Sequence, residues 1–197
     1  QGVAPMARRR GSGKRIDRRS HADLGSGIST LNEDEALAFL ENLEEDPFIL
    51  LLDQLQDPRN LGACLRSASG AGVHLVAVCS DRSVGITDVV RHVAAGAAET
   101  LPIAKVRNFS RFLREVSERG IRLVGTSDRV GSSLYGIDLT GPIGLVLGAE
   151  GSGIRRLTAD CCDSLVAIPM KGEVECLNVS VAAGVCLFEV ARQRLNA

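Results

Sequence analysis

From position 48 onward the chain alternates short apolar runs with stretches whose apolar residues recur every three or four positions. Residues 48–53 are almost wholly aliphatic and read as a buried strand. A helical pattern follows over about 61–71, a second apolar run over 73–79, and a second helical pattern over about 87–97. Residues 102–106 read as short and extended, and 109–119 as an amphipathic helix. Runs at 121–126, 143–147 and 165–168 supply further strands, with helices near 154–161 and 178–194 after the last two. Repeated strand–helix alternation predicts an α/β fold, a mainly parallel sheet with helices on both faces. Ligands of such sheets sit beyond the carboxyl ends of the strands. Glu150 and the loop 170–177 both fall there.

The first 47 residues differ in character. Residues 1–31 are rich in Gly, Ser and Arg without clear periodicity, and read as a linker or arm. Asn32 with Glu35 forms a capping-box pattern, and Leu37, Leu40 and Leu43 would line one face of the helix it opens. We therefore divide the chain into a basic arm or linker, 1–47, and an α/β domain, 48–197. Formal net charge is only −1, but its distribution is uneven. Residues 1–20 hold seven basic side chains and one acid, whereas 32–46 hold seven acids and no base. Such an arm can bind phosphate or simply be a solvated tail.

Composition removes several classes. Apolar residues make up 45% of the chain, enough for a sizeable core, but aromatics only 3%, so that core is aliphatic. No apolar run is long enough to span a bilayer and no secretory signal pattern is present at the N-terminus. None of the six cysteines forms a C-x-x-C pair and the histidines are scattered, so neither a metal site nor a disulfide framework is expected. Free cysteines on apolar segments suit a reducing cytoplasm. Residues 151–156 lack the third glycine of a dinucleotide fingerprint, and no phosphate-loop pattern occurs.

The segment 168–189 carries the strongest chemical signal. A short apolar strand, a glycine-bearing loop and a helix opening at Asn178 succeed one another, and that helix begins with Ser180, Ala182, Ala183 and Gly184. Small side chains let backbone and ligand approach closely. Asn60, just after Pro58, reads on its own as a helix N-cap, as does Asn178. Arg66 alone would be a surface helix arginine. Glu150 lies in Gly148-Ala-Glu-Gly-Ser-Gly153, where glycines permit close approach to a ligand.

Three segments together resemble the SpoU/TrmH branch of the SPOUT RNA methyltransferases. Asn60-Leu-Gly-Ala-Cys-Leu-Arg66 resembles the first motif, Leu145-Val-Leu-Gly-Ala-Glu-Gly-Ser-Gly153 the second, and the 168–189 stretch the third. The resemblance covers about residues 48–197 and is nearest to the bacterial enzymes that methylate a guanosine of 23S rRNA. Gly70-Ala-Gly-Val-His-Leu75 and Val93-Ala-Ala-Gly-Ala-Ala-Glu99 also fit that subgroup.

The resemblance implies the SPOUT α/β fold with a C-terminal trefoil knot, a homodimer with its active site near the subunit interface, and S-adenosylmethionine as methyl donor. It implies that Arg66, Asn60, Glu150 and Asn178 serve catalysis, and that Gly148, Ile168, Met170 and Leu177 hold the cofactor. Free arginine is a very poor base. Arg66 is thus expected to hold phosphate and steady the incipient alkoxide rather than to take a proton. Cys176 departs from the family, which usually has serine there; a thiol is a weaker hydrogen-bond donor. A tRNA guanosine, or a non-catalytic RNA-binding or ribosome-assembly role, are the competing readings, and without the resemblance a generic α/β ligand-binding domain remains. The chain starts at Gln1, and Gln1-Gly-Val resembles the end of a small N-terminal RNA-binding domain, so most of such a domain is expected to be missing.

Overall fold

The computed structural model describes residues 30–128, 132–149, 151 and 153–196. Six parallel strands form one sheet: β1 (Phe48–Leu52), β2 (Leu75–Cys79), β3 (Ile103–Val106), β4 (Arg122–Thr126), β5 (Ile143–Leu147) and β6 (Ser164–Val166). Their spatial order is β3-β2-β1-β5-β4-β6. Every residue of β1, β2 and β5 is buried, as expected of strands covered on both faces. Burial of each such aliphatic side chain contributes roughly 1.5–3 kcal/mol, so the three aliphatic strands form the stable centre of the domain.

Alternation along the strands sorts the core into two layers. Phe48, Leu50 and Leu52 of β1 face one side, with Val76, Val78, Leu145 and Leu147. That side is covered by α2 (Pro58–Gly70), α3 (Asp88–Ala94), α4 (Ala97–Thr100) and α7 (Val179–Arg194). Ile49 and Leu51 face the other side with Ala77 and Val146, beneath α1 (Glu33–Glu41) and α5 (Phe109–Glu118). The short α6 (Arg156–Ala159) follows β5.

The expected single helix over 87–97 is broken in two. Ala95 and Gly96 both have positive φ, 50° and 90°, which ends α3 before α4 begins. A turn of 3-10 helix at Leu134–Gly136 has no counterpart in the sequence pattern. The Asn32–Glu35 capping box is present, with Glu35 N donating to Asn32 Oδ1 and Asn32 N donating back to the Glu35 carboxylate. Leu31 extends the sheet by bridging to Ala104, and Glu33 accepts from the backbone N–H groups of Arg107 and Asn108. Residues 31–41 therefore pack on the sheet rather than trail from it. The basic stretch 1–20 lies outside the described residues.

The C-terminal helix α7 spans the sheet from the carboxyl to the amino ends of the strands. Near its end, Arg194 donates to the carbonyls of Asp46, Pro47 and Gly141 and stacks over Phe48, 4.9 Å from the ring centroid. One turn earlier, the Glu189 carboxylate accepts from Arg192 and Gln193, and Gln193 in turn bonds Ile137 O and Leu139 N. Arg192, then Gln193, hold the Glu189 carboxyl down at about 2. A depressed folded-state pKa stabilises the fold above the unfolded value and loses that contribution as pH falls. Glu189→Gln is thus expected to cost about 1 kcal/mol at neutral pH, Arg192 being well exposed. In urea unfolding at a series of pH values, the gap between parent and variant should shrink as pH drops from about 4.5 toward about 2.

Candidate functional site

The site is built where β1, β4, β5 and β6 release the chain at their carboxyl ends. The loop after β5 turns back on itself. Gly153 N donates to Ala149 O, and the two residues form an isolated antiparallel bridge. The returning limb crosses directly over Gly148, where an added Cβ would lie 2.0 Å from backbone atoms of Gly153. Glycine is therefore required at 148 by close approach of backbone to backbone.

This folded loop separates two crevices. One, with a volume of about 200 Å³, is lined by Thr126, Asp128, Gly148, Ile168, Met170 and Leu177 among others. Its walls are partly apolar, with Asp128 and Glu175 among the lining residues. Such a lining suits a flat base held by main-chain groups beside a cationic moiety. The second crevice is wider, about 1030 Å³, and lies over the ends of β1 and β2, lined by Gln54, Asp57, Asp81, Arg82, Arg155 and Arg156 among others. Gln54 and Arg82 there have positive φ, 59° and 53°, and Gln54 Nε2 bonds the Asp81 carboxylate at 3.3 Å.

The four residues expected to hold a cofactor, Gly148, Ile168, Met170 and Leu177, thus line one cavity, and Cys176 lies at it too, exposed. Of the four expected to serve catalysis, two meet. Asn178 Nδ2 donates to Asn60 Oδ1 at 3.1 Å, while Asn178 Oδ1 accepts from N and Oγ of Ser180. Asn178 caps α7 as expected, but Asn60 does not cap α2. Asp57 does so, accepting from Arg59 N, because Pro58 takes the first helical position. Asn60 falls inside the first turn, buried, with its side chain engaged by Asn178. Arg66 stands apart, exposed on α2 and absent from the lining of both crevices. Glu150 lies outside the described residues.

Helices α2 and α7 run side by side. Asn60 meets Asn178, Ser67 lies against Gly184, and Gly70 lies against Phe188. Beside this seam α7 exposes Val181 and Phe188, 51% and 53% accessible. Of the thiols, Cys162 and Cys186 are pushed by burial up to about 12, so neither is a nucleophile at neutral pH. Among the described residues no group of His, Cys, Asp and Glu could hold a metal ion, and no helix is long and apolar enough to cross a membrane.

Residues 47–188 match the model of the SpoU rRNA Methylase family. The chain belongs to the SpoU rRNA Methylase family. It is 56% identical over 164 residues to the 23S rRNA (guanosine-2'-O-)-methyltransferase RlmB of Ralstonia nicotianae, covering 83% of this chain and 65% of that protein. It is 46% identical over 189 residues to RlmB of Haemophilus influenzae, covering 92% and 76%. The chain thus spans somewhat under two thirds of the length of the Ralstonia relative. Among solved structures, the SpoU methyltransferase AviRb of Streptomyces viridochromogenes, in complex with the cofactor AdoMet, superposes with a TM-score of 0.74 at 29% identity, over 79% of this chain and 64% of that one. SpoU family membership accounts for the three motifs. It offers no sign of the buried Asp53, a carboxylate directly following five buried apolar residues.

The Asn60–Asn178 pair links the starts of two helices, so its loss is expected to be felt in stability. Asn178→Ala removes both the cap and the bond to Asn60, and should cost about 1–2 kcal/mol in chemical denaturation. Asn178→Ser, which keeps a capping oxygen, should recover part of that loss.

Proposed function

We propose that this chain is the catalytic portion of an S-adenosylmethionine-dependent RNA ribose 2'-O-methyltransferase acting on a guanosine of 23S rRNA. The observation that carries the reading is the gathering of Gly148, Ile168, Met170 and Leu177 around one cavity beside the Asn60–Asn178 pair, in a chain 46–56% identical to RlmB proteins. When bound, S-adenosylmethionine supplies an electrophilic methyl group. Gly148, Ile168 and Leu177 offer backbone groups to its adenosine, Met170 an apolar wall. Asn60 and Asn178 orient one another and so fix the starts of α2 and α7 beside the cavity, by which they serve catalysis. Glu150 belongs to this set through the motif alone.

Arg66 requires a further step, because it lines neither crevice of its own chain. We assign the exposed α2–α7 seam, with Val181 and Phe188, to a homodimer interface, through which Arg66 of one subunit serves the cavity of the other. There the guanidinium holds phosphate and steadies negative charge developing on the ribose oxygen. The trefoil threading and a cytoplasmic location belong to the same proposal. Cys176, exposed at the cavity where the family has serine, favours one secondary reading, a slower or non-catalytic RNA binder.

Incubation with 23S rRNA and with tRNA, followed by mass spectrometry of the nucleosides, is expected to yield 2'-O-methylguanosine from 23S rRNA. Calorimetry should show S-adenosylmethionine binding; no binding at millimolar concentration ends the proposal. Arg66→Ala is expected to reduce methylation at least 100-fold with cofactor affinity changed less than threefold. Mixing Arg66→Ala subunits with Gly148→Val subunits, each inactive alone, should restore activity if the site is shared between two chains. Two inactive partners that stay inactive when mixed would place Arg66 in its own subunit's site or outside the mechanism.

A further inference from the structure

Asp53 is the least solvated carboxylate among the described residues, with its side chain fully enclosed. It follows β1 directly, and its own N–H donates to Leu147 O at the end of β5, so it sits where the two central strands release the chain. Its Oδ2 accepts three hydrogen bonds, all from the segment just past the folded loop: Arg155 N at 3.2 Å, Arg155 Nε at 3.1 Å and Thr158 Oγ1 at 2.7 Å. Its Oδ1 lies 2.6 Å from Arg155 Nη2, an ion pair by distance although the alignment falls short of a hydrogen bond. That same nitrogen also reaches Cys79 Sγ at 3.5 Å, at the end of β2.

The position of this cluster decides what it does. Arg155 occupies the N-cap position of α6 and makes no side-chain cap of its own. Asp53 does not replace that cap: it accepts from Arg155 N and Nε and from the Thr158 hydroxyl, and so ties the start of α6 to the end of β1. It thereby fixes the point at which the 148–153 loop comes back to the sheet. That loop is the wall shared by both crevices: Ala149, Gly153 and Ile154 line each of them. Its tight turn over Gly148 requires the returning limb to stay in place. A carboxylate buried this deeply is costly unless paired, and its partners here, Arg155 and Thr158, both sit at the start of α6 directly after the loop.

We propose that Asp53, acting through Arg155 and Thr158, is a positioning residue for the methyl-donor cavity, holding the shared wall in its binding form. It touches neither cofactor nor RNA. Arg155, though it lines the wider crevice, is committed to Asp53 and does not serve as an RNA phosphate contact. The inference rests on the proposed binding of S-adenosylmethionine in the smaller crevice.

The test uses the full chain and three variants, Asp53→Asn, Thr158→Val and Thr158→Ser. Calorimetry with S-adenosylmethionine and thermal unfolding are run on each. Asp53→Asn is expected to weaken cofactor binding at least tenfold and Thr158→Val about threefold, with Thr158→Ser restored to the parent value. Steady-state kinetics should show KM for S-adenosylmethionine rising with KM for RNA unchanged. Lowered melting temperature with cofactor affinity within twofold of the parent, in variants folded at the assay temperature, would overturn the inference and leave Asp53 a purely structural anchor. If Asp53→Asn does not fold, the Thr158 pair decides by the same criterion. A parent chain that binds no S-adenosylmethionine refutes the functional reading itself, an outcome distinct from a binding parent with unaffected variants.

Discussion

β5 lies between β1 and β4 with both faces covered, so the chain beyond its last residue must leave the sheet within a few positions. It does so by folding back over Gly148, so closely that no side chain fits beneath the returning backbone. Everything distinctive about the site stems from that constraint. A longer, looser exit would open one broad depression over the strand ends. The folded exit instead makes a partition, with a partly apolar cavity over β4 and β6 on one side and a charged crevice over β1 and β2 on the other. The proposed reaction, bringing a small donor to a large polyanion, would benefit from such a partition, which excludes water from the donor.

Electrostatics contributes to holding such a partition. Among the described residues its backbone is held by the bridge between Ala149 and Gly153 and by the close packing over Gly148. The Asp53 carboxylate adds an ion pair and three hydrogen bonds that a water-facing loop would make with solvent. In the low-dielectric interior these bonds are stronger, and an unmet partner is correspondingly expensive. The hydrogen bond to the Asp53 carboxylate, first among the causes, holds the Arg155 guanidinium above its ordinary range. The same guanidinium reaches Cys79, whose thiol burial pushes up, so that group enters as a neutral neighbour.

Much of this architecture is legible in the residues, and the parts that are not have identifiable causes. Aliphatic runs of five announce doubly covered strands, and the alternation with helical periods announces a parallel sheet; both depend only on local pattern. The break at Ala95–Gly96 is hidden from the sequence because an alanine at positive φ leaves no mark in composition. The cap of α2 falls to Asp57 rather than the expected Asn60, and both residue types cap well. Only the proline between them, pre-set for the first helical turn, distinguishes the two. The cavity residues are legible through motif resemblance, not through physics, since Gly148, Ile168 and Leu177, which the proposal has acting by backbone, carry no chemical signature of their own. Asp53 has a signal, a single acid closing an all-apolar strand, yet its partners lie 102 and 105 positions away and no local rule reaches them.

In the proposed homodimer, Arg66 is the residue that a single chain leaves apart from the cavity. An arginine doing chemistry in a cavity would be expected near its rim, partly shielded, with its charge met by a carboxylate. Arg66 is instead exposed on α2, on a helix whose neighbour α7 turns Val181 and Phe188 to solvent. Exposed apolar side chains beside a motif arginine make poor sense for a monomer. They make good sense for a surface that buries against another copy, since association would both cover the apolar seam and carry the guanidinium toward a cavity it does not line at home. The two helices run side by side with small residues, Ser67 and Gly184, at their contact. They therefore form one stiff plate, as the proposed delivery of the Arg66 guanidinium across a dimer interface would require.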